Sequence, residues 1–377
     1  MAFKLLRLIF KVGRFTATTP TSIDTKQESV CQKIYISLVF AALTFGLVMT
    51  IINNNYFQED IHMKIAISYL TEFNLYSFSF YTMVVLNLWK REQWYDLIDS
   101  LSVVKKKTKM WKIGKRKVPY YLGFVVNNIF YILTDSYDNY SWFTHYGWEF
   151  FKRFNVRLIQ LFLQFFFKLL LFEILRIILV NYKKLNQCLK NKNISLVHLR
   201  RVVKTVCLLQ RTVDIFNDLF GLPFALLVSF TTFEVLNYIL FALYYQGDIS
   251  LTENIILATL RLHPSIIWTV VLLIMCDSVS CEAKEILSTI DELRFSIDGI
   301  NQKEEQELFM LTDYVKENLP VFTAAGYFTL AKPTILNMSA TVANFLIVVV
   351  QDHPNGVDHH PGTIPMPEDE QEKTVKN

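Results

Sequence analysis

The sequence predicts an all-α, polytopic membrane protein of seven transmembrane helices with a cytoplasmic amino terminus, and three observations predict it. Of 377 residues, 52% are hydrophobic and only 19% charged, a balance a water-soluble chain of this length does not need. Phe is abundant (31) while Gly is sparse (11), so much of the apolar surface is carried by large side chains suited to filling space between helices and facing acyl chains. The Lys and Arg residues are gathered into alternate loops between apolar runs rather than into a basic stripe, which also argues against a nucleic-acid partner.

The elements follow in order. Residues 1–33 form a cytosolic amino-terminal segment. In it Lys4, Arg7, Lys11 and Arg14 recur at helical spacing, with Leu5, Ile9 and Val12 among the apolar residues elsewhere, as in a short interfacial helix on an anionic leaflet or a frayed basic tail. A lipid core about 30 Å thick calls for roughly 20 apolar residues per helix. Runs of that kind occur at 34–52, 65–88, 118–134, 158–180, 219–245, 257–276 and 333–350. Helices 1–4 therefore occupy 34–181 and helices 5–6 occupy 219–279, with a last helix at 333–351. Between them, 182–218 carries Leu196, Leu199, Val203, Val206, Leu209, Val213 and Phe216 at helical spacing among cations. A similar charged amphipathic stretch fills 280–332, with a break near Gly299. The two either pack as a helical bundle beneath the membrane or lie separately on it. Residues 352–377 turn abruptly to Pro, His, Asp, Glu and Gly and read as a disordered extracellular tail.

Orientation comes from the positive residues, which resist translocation. One set of loops holds 29 Lys and Arg, the opposite set with the carboxyl tail only six, placing the amino terminus inside. Cys31, Cys188, Cys207, Cys276 and Cys281 all fall on or near the cytosolic side, where no disulfide is required. Asn139-Tyr140-Ser141 is a glycosylation acceptor pattern in an outer loop between helices three and four, whereas Asn193-Ile194-Ser195, of the same pattern, lies in the cytosol.

Polar groups in a membrane helix are costly, so each is either a site candidate or a hydrogen-bonding contact between helices. The outer halves contain Glu72 and Tyr76, Asn128 and Tyr131, Gln160 and Gln164, Glu234 and Tyr238, then His263 and Trp268. Polar groups interleaved with aromatics at one depth on several helices suit a small organic ligand. Lys168, Glu173 and Arg176 on helix four lack the three-residue repeat of a voltage sensor, and Glu173 with Arg176 reads as an ion pair. No phosphate-binding Gly loop, paired Cys ligands, nucleophile elbow or zincin helix is present, so neither an enzyme nor a cofactor is expected. The tail residues His353, His359 and His360 with Asp352 and Asp358 match no metal-ligand spacing, and no metal site is expected.

The most specific signal is Phe322-Thr-Ala-Ala-Gly-Tyr-Phe-Thr-Leu330, followed by a final apolar helix ending in Asn344-Phe345-Leu-Ile347-Val-Val-Val350-Gln351. This resembles the insect gustatory receptor family, related to insect odorant receptors. In that family a Gly-aromatic-Phe-Thr-Leu segment precedes a last helix that ends in Thr-Tyr, five hydrophobic residues and Gln-Phe. Gly326 to Leu330 and Gln351 match; Asn344-Phe345 replaces Thr-Tyr and Asp352 replaces the final Phe. The resemblance implies a seventh helix in two pieces and an orientation inverted relative to G-protein-coupled receptors. It further implies a homotetramer or heterotetramer with related subunits, joined through cytosolic helices around a pore lined by the last helix. Asn344, Phe345, Ile347, Val350 and Gln351 would stand at the pore and gate, passing permeant cations in the plasma membrane of sensory neurons when a small-molecule tastant binds. The alternatives are an odorant-receptor-type channel subunit and a metabotropic seven-helix receptor.

Overall fold

The described part of each of the seven apolar runs is helical, and most of the helices extend beyond the runs. The structure is a computed structural model that describes residues 2–20, 30–52, 62–108, 120–190, 196–244, 251–296 and 302–352. In chain order the elements are α1 (Ala2–Phe15), α2 (Val30–Ile52), α3 (His62–Phe80), a π-helical continuation (Tyr81–Trp89), α4 (Arg91–Thr108), α5 (Tyr120–Tyr146) and α6 (Trp148–Leu189). They are followed by α7 (Leu196–Tyr244), α8 (Leu251–Ser296), α9 (Gln302–Glu317), a hairpin of β1 (Thr323–Ala324) and β2 (Phe328–Thr329), and α10 (Lys332–Asp352).

Three helices are far longer than a lipid core requires. At 1.5 Å per residue α6, α7 and α8 run roughly 63, 74 and 69 Å. The amphipathic stretch at 196–216 and the apolar run at 219–245 were expected as separate helices; they form one rod, because Asn217 and Asp218 do not break a helix and Asn217 spends its side chain elsewhere. The segment limits read from hydropathy at 181/182, 218/219 and 279/280 therefore fall inside continuous helices. α5 likewise continues through Asn139 to Tyr146, so the acceptor pattern lies in a helix rather than the expected loop, with Asn139 Nδ2 donating to Asp135 Oδ2 (3.2 Å). The break near Gly299, Asn193 to Ser195 and the tail from His353 lie outside the described residues.

Four helical stretches are long and apolar enough to cross a membrane by length and composition, namely Val30–Met49, Val197–Leu240, Ser265–Glu292 and Lys332–Val349, among the described residues. α3, α5 and α6 carry polar or charged groups that lower their apolarity, including Glu72, Asp135, Arg157 and Lys168.

The π segment has a local cause. Asn87 turns its side-chain amide back onto the carbonyls of Thr82 (3.1 Å) and Met83 (3.2 Å) and onto Ala17 (2.6 Å), and Lys90 N–H then reaches the Val85 carbonyl at 2.8 Å, five residues back. The same contact seats the turn after α1 between α2 and this segment.

Through the core runs a column of aromatic rings contributed by α1, α4, α7 and the segment before β1. Phe10 meets Trp94 edge-on (5.4 Å), Trp94 meets Phe220 (5.0 Å), Phe220 meets Phe216 (4.9 Å) and Phe216 meets Phe322 (5.5 Å). Phe78 and Phe167 join it from α3 and α6. All but Phe10 are essentially fully buried, and each such side chain contributes about 1.5–3 kcal/mol by its removal from water. α9 packs on α7 and α8, tied by the Arg200–Glu307 ion pair, so the charged stretches form a bundle within the chain.

The hairpin is closed by a three-residue connection, Ala325 to Tyr327, between the paired Ala324 and Phe328. Ala325 (φ 52°) and Gly326 (φ 79°) both adopt the left-handed region, Tyr327 N–H closes on the Ala324 carbonyl (3.0 Å), and Thr323 pairs with Thr329 and Ala324 with Phe328. It is clamped to α7. Asn217 Nδ2 donates to the Val321 carbonyl (2.7 Å) while its Oδ1 accepts from Thr323 N–H (3.2 Å), and Gly221 leaves room for the backbone of Ala325 to approach.

Candidate functional site

Four helices enclose a cavity in the half of the bundle away from the hairpin. α5 supplies Tyr131, Thr134 and Asp135; α6 supplies Leu158, Leu161, Gln164, Phe165 and Lys168; α7 supplies Glu234; α8 supplies Leu260 and Ser265. Its cavity volume is about 50 Å³, well below the roughly 300–1,000 Å³ of small-ligand sites, so an organic ligand needs the lining side chains to move apart. One wall is aromatic: Tyr131 stacks flat on Phe165 (3.7 Å, 5°), and Trp268 stands edge-on to Phe165 (6.1 Å) and Phe172 (5.5 Å) behind it.

The opposing polar groups are charged, Glu234 and Lys168 buried and Arg157 and Glu72 partly so. Glu234 is met by Arg157 Nη2 at 3.7 Å, and Arg157 Nη1 also donates to Glu72 at 2.6 Å, so one guanidinium bridges carboxylates on α3 and α7. Lys168, buried on the same helix as Arg157, reaches Ser265 Oγ and the Ser265 carbonyl at 3.4 Å. A charge this deep is retained only when partnered, and here a lysine, an arginine and two glutamates compensate one another. Gln164 is different. It lines the cavity, is 2% exposed, and its Nε2 has no hydrogen-bond partner among the described residues. An unsatisfied donor of this kind costs about 1–3 kcal/mol unless something supplies an acceptor.

The sequence-derived candidates divide accordingly. Tyr131, Gln164 and Glu234 line the cavity, Trp268 backs it, and Glu72 joins it through Arg157. Gln160 lies one turn from Gln164, fully buried, with neither amide atom partnered. Tyr76 instead bonds Thr44 (3.1 Å) and ties α3 to α2, and His263 packs its ring on Phe130 (4.9 Å). Asn128 and Tyr238 are half-buried and do not line the cavity. Sequence reasoning missed Arg157, which reads as a charge flanking an apolar run, and Ser265 and Asp135, which carry no pattern. Glu173 and Arg176 form the expected ion pair, Nε to Oε2 at 2.8 Å and Nη2 to Oε1 at 2.6 Å.

The last helix has two faces. Ile335, Met338, Val342, Phe345 and Val349, spaced three and four apart, pack inward; Val342, Phe345 and Val349 meet Ile67, Leu236 and Leu240 of α3 and α7. Phe345 is thus a packing contact within the chain and does not stand on the outward face. Outward, Asn337, Thr341, Asn344, Val348 and Gln351 form a largely polar exposed stripe at the same repeat, flanked by Leu336 and Ile347. Val350 is helical, with its side chain outside the described residues.

No curated protein matches the chain in sequence. Solved structures do match in fold. The insect olfactory receptor OR5 from Machilis hrabei superposes with a TM-score of 0.65 at 12% identity, covering 93% of this chain and 98% of that one. The same receptor in complex with eugenol superposes with a TM-score of 0.61, also at 12% identity and over the same shares. The family described as 7tm Chemosensory receptor matches residues 6–354, nearly the full length, and the chain belongs to that family.

Proposed function

We propose that the protein is a gustatory receptor: a subunit of a ligand-gated, poorly selective cation channel in the plasma membrane of sensory neurons, opened directly by a small-molecule tastant. The observation that carries this reading is the two-faced last helix. Its inward face is packed, while Asn337, Thr341, Asn344 and Gln351 form a polar stripe that is unfavourable against acyl chains and suited to a water-filled path between subunits. Four copies around that stripe give a pore, with Ile347, Val348 and Val350 at a dewetting constriction and Gln351 beyond it. In this reading seven helices cross the membrane, α2, α3, α5, α6, α7, α8 and α10, with the amino terminus inside; the lower halves of α6 to α8 and α9 form the cytosolic anchor. The cavity between α5 and α8 takes the tastant, as the olfactory receptor of the same fold is recorded with eugenol.

Coupling has a material basis in α7, which carries Glu234 at the cavity, meets Phe345 and Val349 of α10 along its length, and clamps the hairpin that leads into α10. A ligand that rearranges the Arg157–Glu234 pair acts on the helix against which the last helix is packed. The test is whole-cell current from cells expressing this chain alone, or with related subunits, challenged with sugars and bitter compounds while G-protein signalling is blocked. A fast cation current that survives the block and changes in the Gln351→Ala variant is the expected result. A response that requires active G proteins from a surface-expressed receptor overturns the channel reading.

A further inference from the structure

We infer that the outer surface of α1 is a binding site for anionic phospholipid. Helical geometry divides α1 into three faces. Leu6, Ile9, Phe10 and Gly13 turn inward and are buried, Phe10 against Trp94. Arg7, Lys11 and Arg14 form a cationic ridge, all exposed, with no carboxylate paired to them among the described residues. Leu8, Val12 and Phe15 form a second apolar stripe beside that ridge, exposed by 57%, 38% and 76%. Water has no affinity for such a stripe, and the protein already occupies the opposite face.

The depth of the helix is fixed independently. Tyr35, in the second turn of α2, donates its hydroxyl to the Phe15 carbonyl at the end of α1. Tyr35 is flanked by Ile34 and Leu38, both more than half exposed, at the start of an apolar stretch long enough to cross a membrane. The end of α1 therefore lies where the acyl region begins. There the stripe of Leu8, Val12 and Phe15 enters the outermost acyl layer and the neighbouring ridge meets lipid phosphates, the arrangement of an interfacial amphipathic helix. Charge complementarity selects anionic over zwitterionic headgroups.

The full-length protein is reconstituted in phosphatidylcholine vesicles containing either spin-labelled phosphatidylserine or spin-labelled phosphatidylcholine, and the motionally restricted fraction is read by electron spin resonance. The wild type should restrict phosphatidylserine about twofold or more over phosphatidylcholine, and less in high salt. Arg7→Gln/Lys11→Gln/Arg14→Gln, which touches no buried side chain, should lower the ratio by about half or more, while Lys11→Arg should leave it unchanged. Equal restriction of the two lipids by the wild type, or a ratio undiminished in the triple variant, overturns the site. Symmetric vesicles present the lipid on both sides, so the outcome is separate from the channel reading and from which terminus is inside.

Discussion

Replacing Gly221 by Ala tests the joint between α7 and the last helix. A Cβ at this position would lie 2.6 Å from the Ala325 backbone nitrogen and 3.1 Å from both the Ala325 Cα and the Thr323 carbonyl oxygen. Ordinary contact begins near 3.4 Å, so the hairpin must retreat by about 0.8 Å, since carbon-scale contacts become repulsive below that range. α7 cannot give instead, because the adjoining Phe216 and Phe220 are locked in the aromatic column. Overpacking of this kind costs about 1–3 kcal/mol. If the cost falls on the clamp alone, it shifts local opening of the hairpin by about 5- to 150-fold. The assay is hydrogen exchange by mass spectrometry on peptides covering 321–331, in which Tyr327 and Leu330 donate to Ala324 and Phe322. Faster exchange there, with α6 unchanged, is expected, and the tastant-evoked current should change with it. Wild-type protection in the variant would refute the close approach on which the joint depends.

Three further outcomes follow from the site and the bundle. Arg157→Met leaves Glu234 and Glu72 without their shared cation and should lower stability by about 3 kcal/mol, while the double variant with Glu234→Gln should recover part of the loss; additive losses in thermal melting would contradict the pairing. Gln164→Leu should leave melting unchanged or raise it, since a buried unpaired donor is removed, yet weaken the tastant response about tenfold; an unaltered dose–response would exclude Gln164 from the ligand site. The hydrogen bonds from Lys190 and Arg200 hold the Glu285 and Glu307 carboxyls below their ordinary value of 4.5. Depressed carboxylates contribute above that value and lose their contribution as pH falls through the folded value. Spin-label distances between α7 and α9 should therefore hold from pH 7 to 5 and lengthen only below about 4.5; separation beginning near pH 6 would be inconsistent with the Arg200–Glu307 tie.

The existence of the helices was legible because burial in lipid imposes long apolar runs, and the described residues of each run are helical. Their ends were not legible. Hydropathy marks where apolar composition stops, and α6, α7 and α8 continue past that point as amphipathic rods whose helical propensity is unbroken. The hairpin was visible as a recurring segment but not as a hairpin, since two-residue strands carry no periodicity and Ala325 enters a positive-φ position usually given to Asn or Gly. In the cavity, Tyr131, Gln164 and Glu234 could be read as polar and aromatic positions at one depth. Arg157 could not, because its meaning comes from Glu72 and Glu234, one on α3 and the other on α7. The resemblance of the carboxyl-terminal motif assigned Phe345 to a pore; its packing with Val342 and Val349 on α3 and α7 turns it inward instead.

Pro223 gives α7 a fulcrum. Lacking an N–H, it leaves the Leu219 carbonyl without its intrahelical partner within a single rod of 49 residues. Below it the rod is held by Asn217 and Gly221; above it Glu234 stands 11 residues away, roughly 16 Å along the axis. A bend of 5° there displaces the cavity carboxylate by about 1.4 Å while the hairpin stays seated. Sequence changes above the proline can therefore reshape the cavity without resetting the clamp below.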